Sequence, residues 1–305
     1  MIFKPVMGEH NHKKIDYSRM FKIAVALNIG FVIIEAVFGF LSGSLALLAD
    51  AGHNLSDVLG LSLAWGASHL THRQPTDRRT YGWRKSSILA ALFNAIILLV
   101  AMGGIGWEAI QRLSTPSPVS EITIIWVAGV GVLINTITAL LFMSERKRDL
   151  NIRGAFIHMA ADAGVSAGVV LSGFGILITG WLWLDPMASI IVVVLILVGT
   201  WGLLRDSLNL ALDAVPKHIN TNDVRTYLSN LPGVSDIHDL HIWGMSTTDI
   251  ALTAHLVKQN PKDDDQLIDR MKKELKARFG IGHITIQWER GDGLHPYEGS
   301  CENKT

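Results

Sequence analysis

The stretch ADAGHNLSD sets Asp50, His53, Asn54 and Asp57 at i, i+3, i+4 and i+7, a spacing that puts all four on one helix face. Further along, HMAAD places His158 and Asp162 four residues apart, again one helical turn. A His and an Asp one turn apart on each of two helices can converge on one point. Two imidazole nitrogens and two carboxylate oxygens then form the four-coordinate shell that divalent zinc prefers. Asp57 and Asp162 would balance the charge of the ion. Without it, two like charges in a low-dielectric site need protons for neutrality. Metal and protons therefore compete for the same atoms, because ligands must deprotonate to bind. If such a site faced each side of a membrane in turn, the competition would be antiport.

The elements that must carry these residues are apolar. Six runs emerge, at 20–41, 44–69, 85–110, 119–143, 152–179 and 183–206, several near or beyond the ~20 residues that cross a bilayer. An ionisable side chain inside such a run costs ~2.5–3.5 kcal/mol on insertion scales, so two matched His/Asp pairs read as functional. Glu35 and Asp50 read either as hydrogen-bonding supports for the ligands or as proton carriers. Asn28, Asn94 and Asn135 read as interhelical packing residues. The chain has 27 basic and 27 acidic side chains, a balance that argues against nucleic acid as a partner. The apolar runs exclude an ordinary soluble enzyme. Basic residues gather before the first run, in the 70–85 loop (Arg73, Arg78, Arg79, Arg84, Lys85) and in the 144–153 loop, whereas the alternate connections hold only Arg112. The positive-inside rule then puts both termini in the cytoplasm. No secretory signal is expected in the polar first 19 residues, and the single Cys301 forbids an internal disulfide.

Beyond Pro216 the pattern changes. A short helix is expected at 221–231, strands near 236–244 and 249–258, an amphipathic helix at 263–279 and a last strand at 283–290, an α-β-β-α-β order that suggests a two-layer α+β domain. Along the middle strand Ile250, Leu252, Ala254 and Leu256 alternate with Thr253 and His255, so one sheet face is apolar and the other carries histidines and a carboxylate. His238 and His241 lie three apart, and a regular strand sends them to opposite faces. They are therefore not expected in one site. The domains expected are 1–19, a cytoplasmic segment; 20–206, the membrane region; 207–290, a regulatory domain; and 291–305, a mobile tail. Cys301, His10, His12 and His295 are weak additional ligand candidates on the two ends.

The segments SGSLALLADAGHNLSD (42–57), AALFNA (90–95), HMAAD, LDP (184–186), HDLHIW (238–243) and HITIQWE (283–289) together resemble the cation diffusion facilitators. The likeness is to the zinc-exporting branch that includes bacterial cobalt–zinc–cadmium resistance proteins, and it covers nearly the whole chain. It implies a homodimer in the bacterial inner membrane, each protomer having six transmembrane helices and a metallochaperone-like cytoplasmic domain. It also implies exchange of cytoplasmic Zn2+, with Cd2+ or Co2+ as further cargo, for protons. The family's transport site falls on His53, Asp57, His158 and Asp162, a two-His two-Asp set associated with zinc preference. Its cytoplasmic metal positions fall on His238, His255 and Glu289. The 70–85 loop departs from the pattern: arginines and Trp83 stand where some members have further ligands, so Asp77 is expected to be a solvated charge, with His69 and His72 interfacial. The histidine-rich loop some zinc transporters carry between spans 4 and 5 is replaced by SERKRDLNIRG. A membrane-embedded zinc hydrolase and a metal sensor are the competing readings. Catalytic zinc usually keeps a position open, and four convergent ligands with no separate nucleophile favour transport.

Overall fold

The computed structural model describes residues 17–71, 73–143, 150–258 and 264–289. Among them, six long helices come first: α1 (Tyr17–Ser42), α2 (Leu45–Thr71), α3 (Ser86–Ser114), α4 (Glu121–Met143), α5 (Leu150–Thr179) and α6 (Leu184–Ala211). α7 (Thr221–Ser229), β1 (Val234–Gly244), β2 (Ile250–Lys258), α8 (Asp264–Phe279) and β3 (Ile281–Glu289) follow, in the expected order and within a few residues of the expected ends. Among the described residues, four helical stretches are long and apolar enough to cross a membrane: Ser86–Ser114, Glu121–Leu140, Phe156–Thr179 and Leu184–Ala211. The apolar part of α1, Asn28–Ser42, is shorter, and α2 carries the ionisable face. A helix suits hydrocarbon because it satisfies its own backbone groups. The cysteine, the additional tail histidines and His72 lie outside the described residues.

The chain divides into two compact units, one of residues 1–58 and 104–193, the other of 59–103 and 194–305. The first holds the ionisable faces of α2 and α5. Its α1–α2 corner turns on Gly43 at φ 69°. The Gly43 N–H bonds to the Phe40 carbonyl at 3.2 Å and the Ser44 N–H to Gly39 at 3.1 Å, a Schellman ending that needs a left-handed residue there. The start of α2 is then tied to α6. Ser44 donates its hydroxyl to Asp185, and the Leu45 N–H donates to the other Asp185 oxygen at 2.9 Å. Ser44 Oγ in turn accepts from the Leu47 N–H at 3.2 Å, so two orphan donors of the helix start, those of Leu45 and Leu47, are satisfied by side chains. Arg112 donates to the Gly43 carbonyl at 2.6 Å. α1 and α4 approach closely at Gly131, where an added Cβ would lie 2.6 Å from the Phe31 ring. Small residues permit this kind of approach in helices that have no hydrophobic drive to associate in lipid.

The second unit contains the sheet, ordered β1-β2-β3, with β1 antiparallel and β3 parallel to the central β2. Ile250, Leu252, Ala254 and Leu256 pack with Val224 and Leu228 of α7 and Met271 and Leu275 of α8 in one buried cluster. α7 starts at Asn220, whose side chain accepts from the Asn222 N–H at 3.0 Å, the usual satisfaction of a free helical donor. In the same unit the α3 start meets the β1–β2 turn. Ser87 accepts from the Thr247 N–H at 3.1 Å, and Lys85 pairs with Asp213 at 2.8 Å.

One expectation is corrected in β1. The pairing register shifts between His238 and His241, and Asp239 takes a left-handed backbone at φ 50°. His238 pairs with His255 and His241 with Thr253, so the two histidines share the polar face. The bulge puts two residues, Asp239 and Leu240, opposite one, which resets the alternation.

Leu275 is fully buried in the sheet–helix cluster. Leu275→Ala should lower the unfolding free energy of the 216–289 segment by ~2–5 kcal/mol, read by urea titration. A loss below about 1 kcal/mol would mean that this core does not hold the domain together.

Candidate metal centres

α2 and α5 bring the four candidates His53, Asp57, His158 and Asp162 into a closed ring in which imidazoles and carboxylates alternate. Across the helices, His53 Nε2 lies 3.3 Å from Asp162 Oδ1, and His158 Nε2 lies 3.1 Å from Asp57 Oδ2. Along them, His53 Nε2 is 3.8 Å from Asp57 Oδ2 and His158 Nε2 is 3.6 Å from Asp162 Oδ2. Zinc bonds of ~2.0–2.2 Å in a tetrahedron give ligand–ligand edges of about 3.4 Å, and all four sides of the ring are near that length. One ligand atom each from His53, Asp57 and Asp162 falls within a mutual 4.8 Å. His158 stands outside that triplet, and its ring centroid is 6.0 Å from that of His53. Wrapping four atoms around one ion requires that diagonal to shorten. Exposure grades across the ring from Asp162, 3% accessible at its side chain, to His158 at 44%. The side chain that has to move is the accessible one.

Glu35 and Asp50 lie outside the ring. Asn54 donates to Glu35 Oε2 at 3.1 Å, and Ser166 donates to Asp50 Oδ2 at 2.7 Å. Glu35, Asp50 and Ser166 are wholly buried. These bonds link α1 to α2 and α2 to α5, the pair of helices that must stay in register for the ring to close. Of the three asparagines read as packing residues, Asn28 donates weakly to Met159 Sδ at 3.9 Å. Asn135 is buried with no partner for its amide among the described residues.

A second cluster lies on the polar face of the sheet. Glu289 Oε2 is 3.1 Å from His238 Nε2, and Glu289 Oε1 is 2.9 Å from His255 Nδ1; the two imidazoles meet edge to face at 5.2 Å. Gln287 donates to Glu289 Oε1 at 3.0 Å. The three ligand atoms lie within 4.8 Å of one another, and the three side chains are partly buried, open enough for an ion to reach. Sequence reasoning missed what lies beside them. His255 Nε2 is 3.6 Å from Asp239 Oδ2, and His241 Nε2 is 2.9 Å from Asp239 Oδ1. A metal-ligating imidazole usually gives its other N–H to a carboxylate, and Asp239 stands on that side of His255. The only sequence signal was the HDLH spacing, which a regular strand renders uninformative.

The chain matches two family descriptions, the cation efflux transmembrane domain over residues 21–210 and the cation efflux protein cytoplasmic domain over residues 216–291. The zinc transporter ZitB of Escherichia coli (strain K12) is 38% identical over 288 residues, which is 92% of this chain and 92% of that protein. The cadmium, cobalt and zinc/H(+)-K(+) antiporter of Bacillus subtilis (strain 168) is 34% identical over 97% of this chain and 96% of its own length. The metal cation efflux system protein CzcD of Cupriavidus metallidurans is 35% identical, over 89% of this chain and 86% of its own. Apolar helices, an ionisable face buried among them and similarity along nearly the whole length converge on one conclusion: the chain is an integral membrane protein of the cation efflux family, whose members are metal transporters and not enzymes.

Proposed function

We propose that this protein is a zinc/proton antiporter that exports Zn2+, with Cd2+ and Co2+ as further cargo, through the ring of His53, Asp57, His158 and Asp162. The closed alternation of imidazole and carboxylate across α2 and α5 is the observation that carries the reading. Relatives that include zinc transporters and a cadmium, cobalt and zinc antiporter support the cargo and the exchange. In this reading all six helices span the bilayer, residues 20–206 form the membrane region, and both termini are cytoplasmic. Residues 207–290 form a cytoplasmic regulatory domain through which two copies associate, with 291–305 as its tail. The bilayer is that of the bacterial inner membrane.

The exchange follows from charge. With zinc bound, two carboxylates balance the ion and both imidazoles are neutral ligands. When zinc leaves, protons take its place along the short imidazole–carboxylate contacts and keep the ring from carrying two bare negative charges in a poor solvent for them. Protons on one side and metal on the other then drive each other through one set of atoms. His238, His255 and Glu289 would hold zinc on the sheet, where it would regulate and not be the ion in transit. Its effect is limited to its differential affinity for the two arrangements it biases.

Asp57→Ala or Asp162→Ala should abolish zinc flux in proteoliposomes while the protein remains folded and dimeric, and wild-type rates in either variant would sink the assignment. Acidifying the loading side by two pH units, from about 8 to about 6, should weaken apparent zinc affinity there, because protons occupy the ligands as pH falls. An affinity unchanged over that interval would rule out competition for shared atoms. His238→Ala with His255→Ala should remove zinc binding by the sheet and lower transport only in part. Asp239→Asn should weaken the same binding about tenfold or more, measured by calorimetry. Complete loss of flux in the folded histidine double variant would place these residues in the transport path.

A further inference from the structure

The α2–α3 loop and the first turn of α3 border a cavity of about 570 Å3, within the ~300–1,000 Å3 of ordinary small-ligand pockets. Its walls differ sharply in character. Trp83, Leu89, Trp243 and Met245 give it an apolar floor, and Arg78, Arg79, Arg84 and Lys85 give it a cationic rim. Two of the four cations are already engaged: Arg84 faces Asp249 at 3.7 Å and Lys85 pairs with Asp213 at 2.8 Å. The other two are not. Arg78 and Arg79 have no carboxylate partner among the described residues, and the Arg79 guanidinium is stacked 3.9 Å over the Trp83 ring. That stacking restrains the guanidinium while leaving its N–H donors free to bond elsewhere. The rim therefore presents two guanidiniums without a carboxylate partner among the described residues, one of them held against Trp83, beside an apolar pocket.

The surroundings of the mouth narrow the choice of anion. α3 begins at Ser86 and is one of the helices long and apolar enough to cross a bilayer; with α3 in the bilayer, the rim would lie at the level of the headgroups. From Leu89 inside the cavity, exposed apolar side chains continue along α3 at Phe93, Ile97 and Val100, spaced i, i+4, i+8 and i+11 on one helical face. A soluble phosphate would satisfy the guanidiniums and leave the floor and this stripe uncovered. An amphiphile satisfies both.

We propose that the cavity is a binding site for an anionic phospholipid, the phosphate held by Arg78 and Arg79, the glycerol region against Trp83 and Trp243, and an acyl chain running along Leu89, Phe93, Ile97 and Val100. The site lies at the junction where α3 meets the β1–β2 turn through Ser87 and Thr247, so its occupant would touch both the membrane helix and the sheet. This proposal needs α3 in the bilayer and needs nothing from the metal reading; it stands or falls separately from the transport assignment.

The test uses the full chain, purified in detergent, and native mass spectrometry with dioleoyl phosphatidylglycerol and dioleoyl phosphatidylcholine. Phosphatidylglycerol should bind the wild type preferentially. R78Q/R79Q should weaken it about 30-fold, the equivalent of ~1 kcal/mol for each basic residue removed near a headgroup. R73Q, a change on the same loop but outside the cavity, should leave it unaltered. Phosphatidylglycerol brominated on its chain should quench a component of the tryptophan fluorescence that is missing in W83F. Millimolar inorganic phosphate should not displace the lipid. The proposal is overturned if the two lipids bind alike, if R73Q weakens binding as much as R78Q/R79Q, if free phosphate competes fully, or if W83F is quenched as strongly as the wild type.

Discussion

Among the described residues, the ion-pairing partners of each ring carboxylate are imidazoles one edge away. Asp162 is almost wholly removed from solvent, and its oxygens look toward His53 on one helix and His158 on its own. Burying a charge without compensation is expensive, and here the compensation is shared so that removing any member unbalances two others. The helices have to serve this constraint. α2 is fastened at its start by Asp185 and Ser44, and along its length by Asn54 to Glu35 and by Asp50 to Ser166. Each tie fixes the rotation or the height of α2 against a neighbour, and small errors in either would open the ring. The packed glycine at 131 does the same for α1 against α4. Polar groups that look like liabilities in an apolar segment are the alignment system of the site.

The soluble part solves a different problem with different means. Its apolar face is a conventional core in which β2 supplies a residue at every second position to two helices. Its opposite face carries His238, His255 and Glu289, the candidate ligands, so the side chains that hold the core together are not the ones that could take a metal. Glu289 is the pivot: one oxygen meets His238 and the other His255, so a single side chain holds two imidazoles from two strands in reach of one ion.

Much of this was legible in the residues. Periodicity placed the helices because a 3.6-residue repeat and a long apolar run each have one structural solution in lipid, and the His/Asp spacing located the ring because a helix turn is a fixed ruler. The same ruler could not say that the pairs would bond crosswise, His53 to Asp162 and His158 to Asp57. That depends on the relative height of α2 and α5, which is set by contacts far apart in sequence. Nor could it choose between a supporting and a proton-carrying part for Glu35 and Asp50, because only their hydrogen-bond partners, Asn54 and Ser166, bear on that. On the sheet, alternation sorted Thr253 and His255 from their apolar neighbours correctly. It failed for His238 and His241 because one left-handed residue, Asp239, changes the parity of everything after it. A non-glycine residue with positive φ leaves almost no trace in composition, although Asp tolerates it better than most.

That bulge has a further consequence for what β1 can do as the outermost strand of its sheet. A regular outer strand offers a continuous row of unsatisfied amides and carbonyls to any extended segment that drifts alongside, and this is how sheets recruit foreign strands and grow. At Asp239 and Leu240 the row is broken and the strand bent. A passing chain would find its hydrogen-bonding rhythm interrupted at mid-length, opposite a carboxylate. Recruitment along that edge is therefore discouraged by the same two residues that gather the histidines, and recognition there is left to side chains, which can be selective, and not to backbone, which cannot.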